Sequence, residues 1–322
     1  MDNDDHLSSF AGLPALEYYS GLPVADPAAV AWRLSWGGMW TGGCPCSTCE
    51  EDRRRRPEIA GRTCGMDLEG FVTEWGDRAT TLIISDGDDD APDYERIIEA
   101  ITRMPRLRAL FLGDVMDREA QISWVHQADV TPVLAAAPNL EHLQVRGSEG
   151  LEFTGLRHEK LRRLVFEGGG LPAGVARGVG ASDLPALEHL ELWLGTEHYG
   201  GSATIVDDLT AVLAGARLPA LTYLGLRNAE LADEVAAAVA SAPVVATLQD
   251  LDLSLGILSD DGAQALLAGQ PLTHLKSLNL THNYLSDDIA AWLEESLPGV
   301  EVNTTDRQTP DEDGDRYISV SE

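Results

Sequence analysis

Apolar residues recur along this chain in one phrase, L-x-x-L-x-L, and the copies are separated by stretches with helical apolar spacing. The two clearest copies begin at Leu248 and Leu275, which sets a period of roughly 27 residues. The phrase also begins at Leu107, Leu140, Leu161, Leu187 and Leu221, and a weaker copy, Ala79–Ile84, starts one period before Leu107. Leucines at alternate positions share one side of a strand, and the longer return of each unit suits a helix. Each unit buries its apolar side only against its neighbours, so a stack of units shares one continuous core.

The period is uneven. The steps from Leu107 to Leu140 and from Leu187 to Leu221 are long, and the step from Leu140 to Leu161 is short. The two long units place insertions near Met116–Gln127 and Gly195–Thr204. Helices are predicted at Met66–Trp75, around Ile97–Ile101, after Asp129, and at Val206–Leu213, Glu230–Val239, Asp260–Leu267 and Asp287–Leu297. Ser259 and Ser286 stand at N-cap positions, each followed by paired aspartates that favour a helix's positive end. Gly168–Gly180 is too glycine-rich for a full helix, at about 1 kcal/mol per glycine. Alternation of Val30, Trp32 and Leu34 with Ala31 and Arg33 predicts a strand with one buried face. The resulting division is an N-terminal cap region over 1–78 with a Cys/Arg-rich insertion at 37–65, an array over 79–303, and an acidic tail over 304–322. The tail lacks apolar anchors and is expected to be disordered or loosely held, although Tyr317–Val320 has the composition to pair back as a strand.

Charge narrows the partners. With 53 acidic against 23 basic side chains the net charge is −30, which repels phosphate backbones and anionic membranes; it serves solubility first, and its sign makes a basic protein the easier partner. No apolar run approaches a membrane span, and the acidic start lacks the apolar core of a secretory signal, so a cytoplasmic monomer is expected. All four cysteines, Cys44, Cys46, Cys49 and Cys64, fall in one short window. Thiolates at that spacing can wrap one tetrahedral zinc ion; the competing reading is a loop of reduced thiols with no cofactor. Asp86–Asp90 lacks the alternating ligands and distal glutamate of a calcium loop.

The spacing and form of these phrases resemble leucine-rich repeats of the ribonuclease-inhibitor type, over about Ala79 to Leu297. More narrowly, the chain resembles an uncharacterised family of bacterial leucine-rich-repeat proteins. The resemblance is carried by His6–Pro14, Leu110–Asp114, Ile122–Trp124, Leu192–Thr196 with Tyr199–Gly201, and Gly269–Lys276. It implies an α/β solenoid, a curved horseshoe with parallel strands on the concave face and helices outside, and it implies no activity. Only Asn283 holds the repeat's asparagine position cleanly, with Asn228 one residue early, so a continuous asparagine ladder is not expected.

Side chains between the leucines then form a concave wall. Its middle carries His142, Arg146, Arg163, His189, Glu191, Trp193, Tyr223 and Arg227 on strands about 4.8 Å apart. His198 and Tyr199 lie in the insertion that leaves the same strand as Trp193. Tryptophan, tyrosine and arginine dominate protein-binding hot spots, so these ten residues are the expected partner-binding surface of a non-catalytic interaction module. The alternative is a metal-dependent or catalytic role through His142, His189, Glu191 and His198, or through the cysteine cluster. No nucleophile–base pairing, metallopeptidase phrase or phosphate loop accompanies those histidines, and Gly168–Gly170 does not continue into a dinucleotide motif.

Overall fold

A computed structural model describes residues 5–21, 23–35, 50, 51, 54, 55, 67–85, 92–116, 120–203 and 205–321. Two compact units emerge, Met1–Leu151 and Glu152–Glu322. In the first, β1 (Ser9–Phe10) is antiparallel to β2 (Leu13–Glu17). Parallel pairing then runs through β3 (Ala31–Ser35), β4 (Thr81–Ser85), β5 (Ala109–Leu112) and β6 (His142–Arg146). Its helices are α1 (Leu68–Trp75), α2 (Tyr94–Thr102) and α3 (Thr131–Ala136). As the spacing predicts, α1 buries Leu68, Phe71, Val72 and Trp75. Trp75 stacks on Trp32 at 5.9 Å, and the Asp67 side chain caps the helix by accepting from the Gly70 N–H at 2.8 Å.

The second unit holds parallel strands β7 (Arg163–Glu167), β8 (His189–Gly195), β9 (Tyr223–Ala229), β10 (Asp250–Asp252), β11 (Ser277–Asn279) and β12 (Glu301–Asn303). Leu164, Leu190, Leu224, Leu251 and Leu278 stand in register across it, and each is at most 1% exposed. Burial of each such side chain contributes about 1.5–3 kcal/mol, which explains why the leucine period dictates the stack. Its helices are α4 (Ala173–Ala181), α5 (Ile205–Asp208), α6 (Thr210–Ala214), α7 (Ala232–Val239), α8 (Asp260–Leu267) and α9 (Asp287–Ser296). Ser259 and Ser286 cap α8 and α9 as expected, accepting from the Asp261 and Ile289 N–H groups. The same caps tie successive repeats together: the Asp233 carboxylate accepts from Ser259 N–H and Oγ–H, and Asp260 accepts from Ser286 N–H at 2.8 Å.

Three expectations are corrected. Helix α4 forms despite its glycines, because these are where neighbouring repeats approach. A Cβ at Gly178 would collide with the Phe153 carbonyl oxygen, and one at Gly180 would lie 2.7 Å from the Ala211 Cβ. The described part of the tail is tied down rather than loose. Val320 N–H donates to Asn228 Oδ1 at 3.0 Å, Asn228 Nδ2 donates back to the Val320 carbonyl, Ser319 N–H reaches the Leu255 carbonyl, and Ile318 is buried. The early asparagine thus serves the tail, while Asn283 holds its own turn through Leu253, Leu258 and Leu280.

The third concerns the face opposite the leucines in the first unit. Alternation puts Ala31, Arg33, Ala109 and Phe111 on the open side of their strands, yet all are at most 3% exposed. The reason is the N-terminal segment. Phe10 joins Ala15, Ala31, Ile83, Ala109 and Phe111 in one buried cluster, with Leu7 and Leu13 packed against it. Arg33 Nε donates to Asp114 at 2.8 Å, Leu7 N–H donates to the other Asp114 oxygen at 3.3 Å, and His6 lies 3.7 Å away. Burial opposes ionisation of Asp114, yet the Arg33, His6 and Arg146 charges outweigh it and hold the carboxyl below its usual range. The phrases His6–Pro14 and Leu110–Asp114 are therefore contact partners.

Candidate functional site

Covering by the N-terminal segment decides where an open strand face remains. In the first unit His142 packs against Phe10, ring centres 4.7 Å apart, and the Arg146 guanidinium sits 5.4 Å above Phe111 while donating to the Val115 carbonyl. Both predicted wall residues are thus engaged with the covered side of their own unit.

In the second unit the predicted wall assembles in register. Arg163, His189, Tyr223, Asp250 and Ser277 form one row across β7–β11, and Val165, Glu191, Gly225, Asp252 and Asn279 form the next. Trp193 and Arg227 are paired one step further along. Glu191 is the hub. Its carboxylate accepts from Trp193 Nε1 at 2.8 Å and Arg227 Nη1 at 2.6 Å; His189 Nε2 lies at 3.4 Å and Arg163 at 3.6 Å. Burial would raise its pKa, but the His189, Arg227 and Trp193 contacts prevail and bring it to about 2.

Asp252 is a second anchor: it accepts from Tyr223 Oη at 3.0 Å and Asn279 Nδ2 at 2.9 Å and lies 3.6 Å from Arg227 Nε. Arg227 also donates to Ser254 Oγ at 3.0 Å. Burial works against its charge, and Asp252 and Glu191 more than compensate, raising its pKa. Burial and Asp252 likewise raise Tyr223 and keep its phenol protonated. Sequence reasoning missed Asp252, Ser254 and Asn279 as site residues, although they occupy the same register positions on the next strands.

Trp193 departs from expectation. The large aromatic expected in the open is only 4% exposed. Arg227 lies 5.2 Å above its ring, and its indole N–H is committed to Glu191. The tryptophan is covered by Arg227, and the half-buried groups presented further along the same face are Arg163, His189 and Tyr223. His189 and Tyr223 stack in parallel with centres 3.8 Å apart. Tyr223 can lie flat there because the next inward position is Gly225, where a Cβ would press on the tyrosine ring and Glu191 at 3.2 Å.

His198 and Tyr199 occupy a short 3-10 turn with their rings edge-on at 4.8 Å. Backbone bonds tie this insertion to the glycine run after β7: Thr196 N–H donates to the Gly169 carbonyl and Leu171 N–H to the Leu194 carbonyl. The run Gly168–Gly170 thus serves close backbone packing. Cys44, Cys46, Cys49, Cys64 and the acidic stretch 86–90 lie outside the described residues. Among the described residues no group of three or more His, Cys, Asp or Glu side chains is arranged to hold a metal, and no helix is long and apolar enough to cross a membrane.

A family model described as Leucine Rich repeat matches residues 246–267 and 272–291. A solved protein of Bacteroides fragilis is 27% identical, with a TM-score of 0.68, covering 80% of this chain and 81% of that one. The chain has a leucine-rich-repeat fold. Fainter likenesses are to an internalin from Listeria monocytogenes (14% identity, TM-score 0.31, covering 76% of this chain and 57% of that one). A chain of the TLR13–ssRNA13 complex is 15% identical with a TM-score of 0.36, over 87% and 44% of the two chains. Scores this low carry no argument about this chain. No curated protein matches the sequence.

Proposed function

We propose that this leucine-rich-repeat protein is a non-catalytic interaction module that binds a partner protein on the strand face of its second unit. The observation carrying the proposal is the row Arg163–His189–Tyr223, half-buried and held from the neighbouring rows by the network of Glu191, Trp193 and Arg227. Arginine and tyrosine side chains already ordered by neighbours lose little conformational entropy on binding, which favours them as anchors. The ion pairs of the neighbouring rows are satisfied internally, so their role is to hold the row in place. Leucine-rich-repeat folds commonly serve recognition, and here the first unit's equivalent face is covered by its own N-terminal segment.

The reading is tested by quantitative pull-down from the source organism's lysate with wild type, Arg163→Glu plus Tyr223→Ser, and Trp292→Ala on the outer surface of α9. Specific partners should fall at least tenfold with the first variant and remain with the second. Equal recovery with all three proteins would contradict it.

A further inference from the structure

His189 is held between two groups that dictate where its proton lies. Arg163 Nη1 is 3.1 Å from His189 Nδ1. A guanidinium only donates, so Nδ1 must accept. The ring is then neutral, with its proton on Nε2 facing the Glu191 carboxylate at 3.4 Å. Tyr223 lies flat against the ring, and Arg227 and Asp252 are further charged groups around the network, Arg227 pairing with both Glu191 and Asp252.

Adding a proton to Nδ1 would place two donors and two positive charges in opposition across the same 3.1 Å. Arg163 is the member able to leave, because its side chain is 39% exposed and its contact with Glu191 is long, at 3.6 Å, while Glu191 is 7% exposed and bound more closely to Trp193 and Arg227. From this geometry we propose that His189 is a proton-operated latch on Arg163: neutral His189 holds the guanidinium against the strand face, and protonated His189 releases it to solvent. Burial, with the Arg163 charge, outweighs the raising effect of Glu191 and depresses the His189 pKa below the ordinary histidine value, so the latch opens on the acid side of that value. Glu191, at about 2, stays ionised there and keeps its bond to the His189 Nε2–H. Released Arg163 beside a charged imidazole gives the face positive charge for a partner's carboxylate. The consequence for binding rests on the function proposed above, but the latch itself can be tested without a partner, so the two fail separately.

The experiment is a long-range proton–nitrogen NMR titration of the histidine rings in the full-length 15N-labelled protein. The His189 ring is assigned by its loss in His189→Gln, or by sequential backbone assignment if that variant does not fold. Wild type should show the Nε2–H tautomer at pH 7.5, and the Arg163 Nε–H signal should shift with the His189 midpoint. Arg163→Ala, at a half-exposed position, should raise that midpoint by on the order of half a pH unit or more, since it removes both the opposing charge and the bond to the neutral form. A proton on Nδ1 at pH 7.5, or a midpoint unmoved by Arg163→Ala, would overturn the latch.

Discussion

Replacing Glu191 by glutamine tests the hub directly, because it keeps the shape and removes the charge. The carboxylate lies at about 2 against an ordinary 4.5. That depression is worth about 3 kcal/mol at neutral pH, since each tenfold change in proton affinity corresponds to about 1.36 kcal/mol. A depressed pKa stabilises the fold above the unfolded-state value, and the contribution is lost as pH falls through the folded one. Between pH 7 and pH 3 wild type should therefore lose about 2 kcal/mol through this group alone. Glu191→Gln lacks that dependence and leaves Arg227 with a weaker acceptor, so at pH 7 it should be about 2–4 kcal/mol less stable than wild type. Urea unfolding of both proteins at pH 7, 5, 4 and 3 measures the gap, which should hold nearly constant down to pH 5 and shrink below it. A gap that stays constant from pH 7 to pH 3 would refute the argument that Glu191's charge holds this network.

Three further outcomes follow from the packing. Asp114→Asn weakens the buried pair with Arg33 and should cost about 3–5 kcal/mol, read as a lower thermal midpoint together with faster proteolysis of the N-terminal segment. Gly178→Ala drives a methyl into the Phe153 carbonyl and should destabilise by at least about 1–3 kcal/mol, against the usual benefit of alanine in a helix. Deleting residues 316–322 leaves the Asn228 amide, itself at 0% exposure, without its Val320 partner. Urea unfolding should show a loss of about 1–3 kcal/mol.

The repeat was legible because the leucine pattern and the burial it produces are the same periodic property. Once Leu164, Leu190, Leu224, Leu251 and Leu278 are aligned, the opposite row Arg163, His189, Tyr223, Asp250 and Ser277 follows by alternation. Alternation specifies a side of the strand and says nothing of what lies over it. Trp193 reads as open until Arg227, from the next strand, is seen to cover it. Phe111 reads as open until Phe10 arrives from the far N-terminal end of the chain. The glycines of α4 argue against a helix by intrinsic propensity, and only the neighbouring repeat's backbone explains why they are needed. The tail has a similar explanation, since its anchor Asn228 looked like a displaced repeat position rather than a binding partner.

The partner proposed above docks on the strand face of the second unit. Site-specific photo-cross-linking tests it most directly, with a photoreactive side chain placed at position 163 in one protein and at position 292 on the outer surface of α9 in another. A discrete cross-linked partner is expected from position 163 and none from position 292. Cross-links from position 292 with none from position 163 would contradict it.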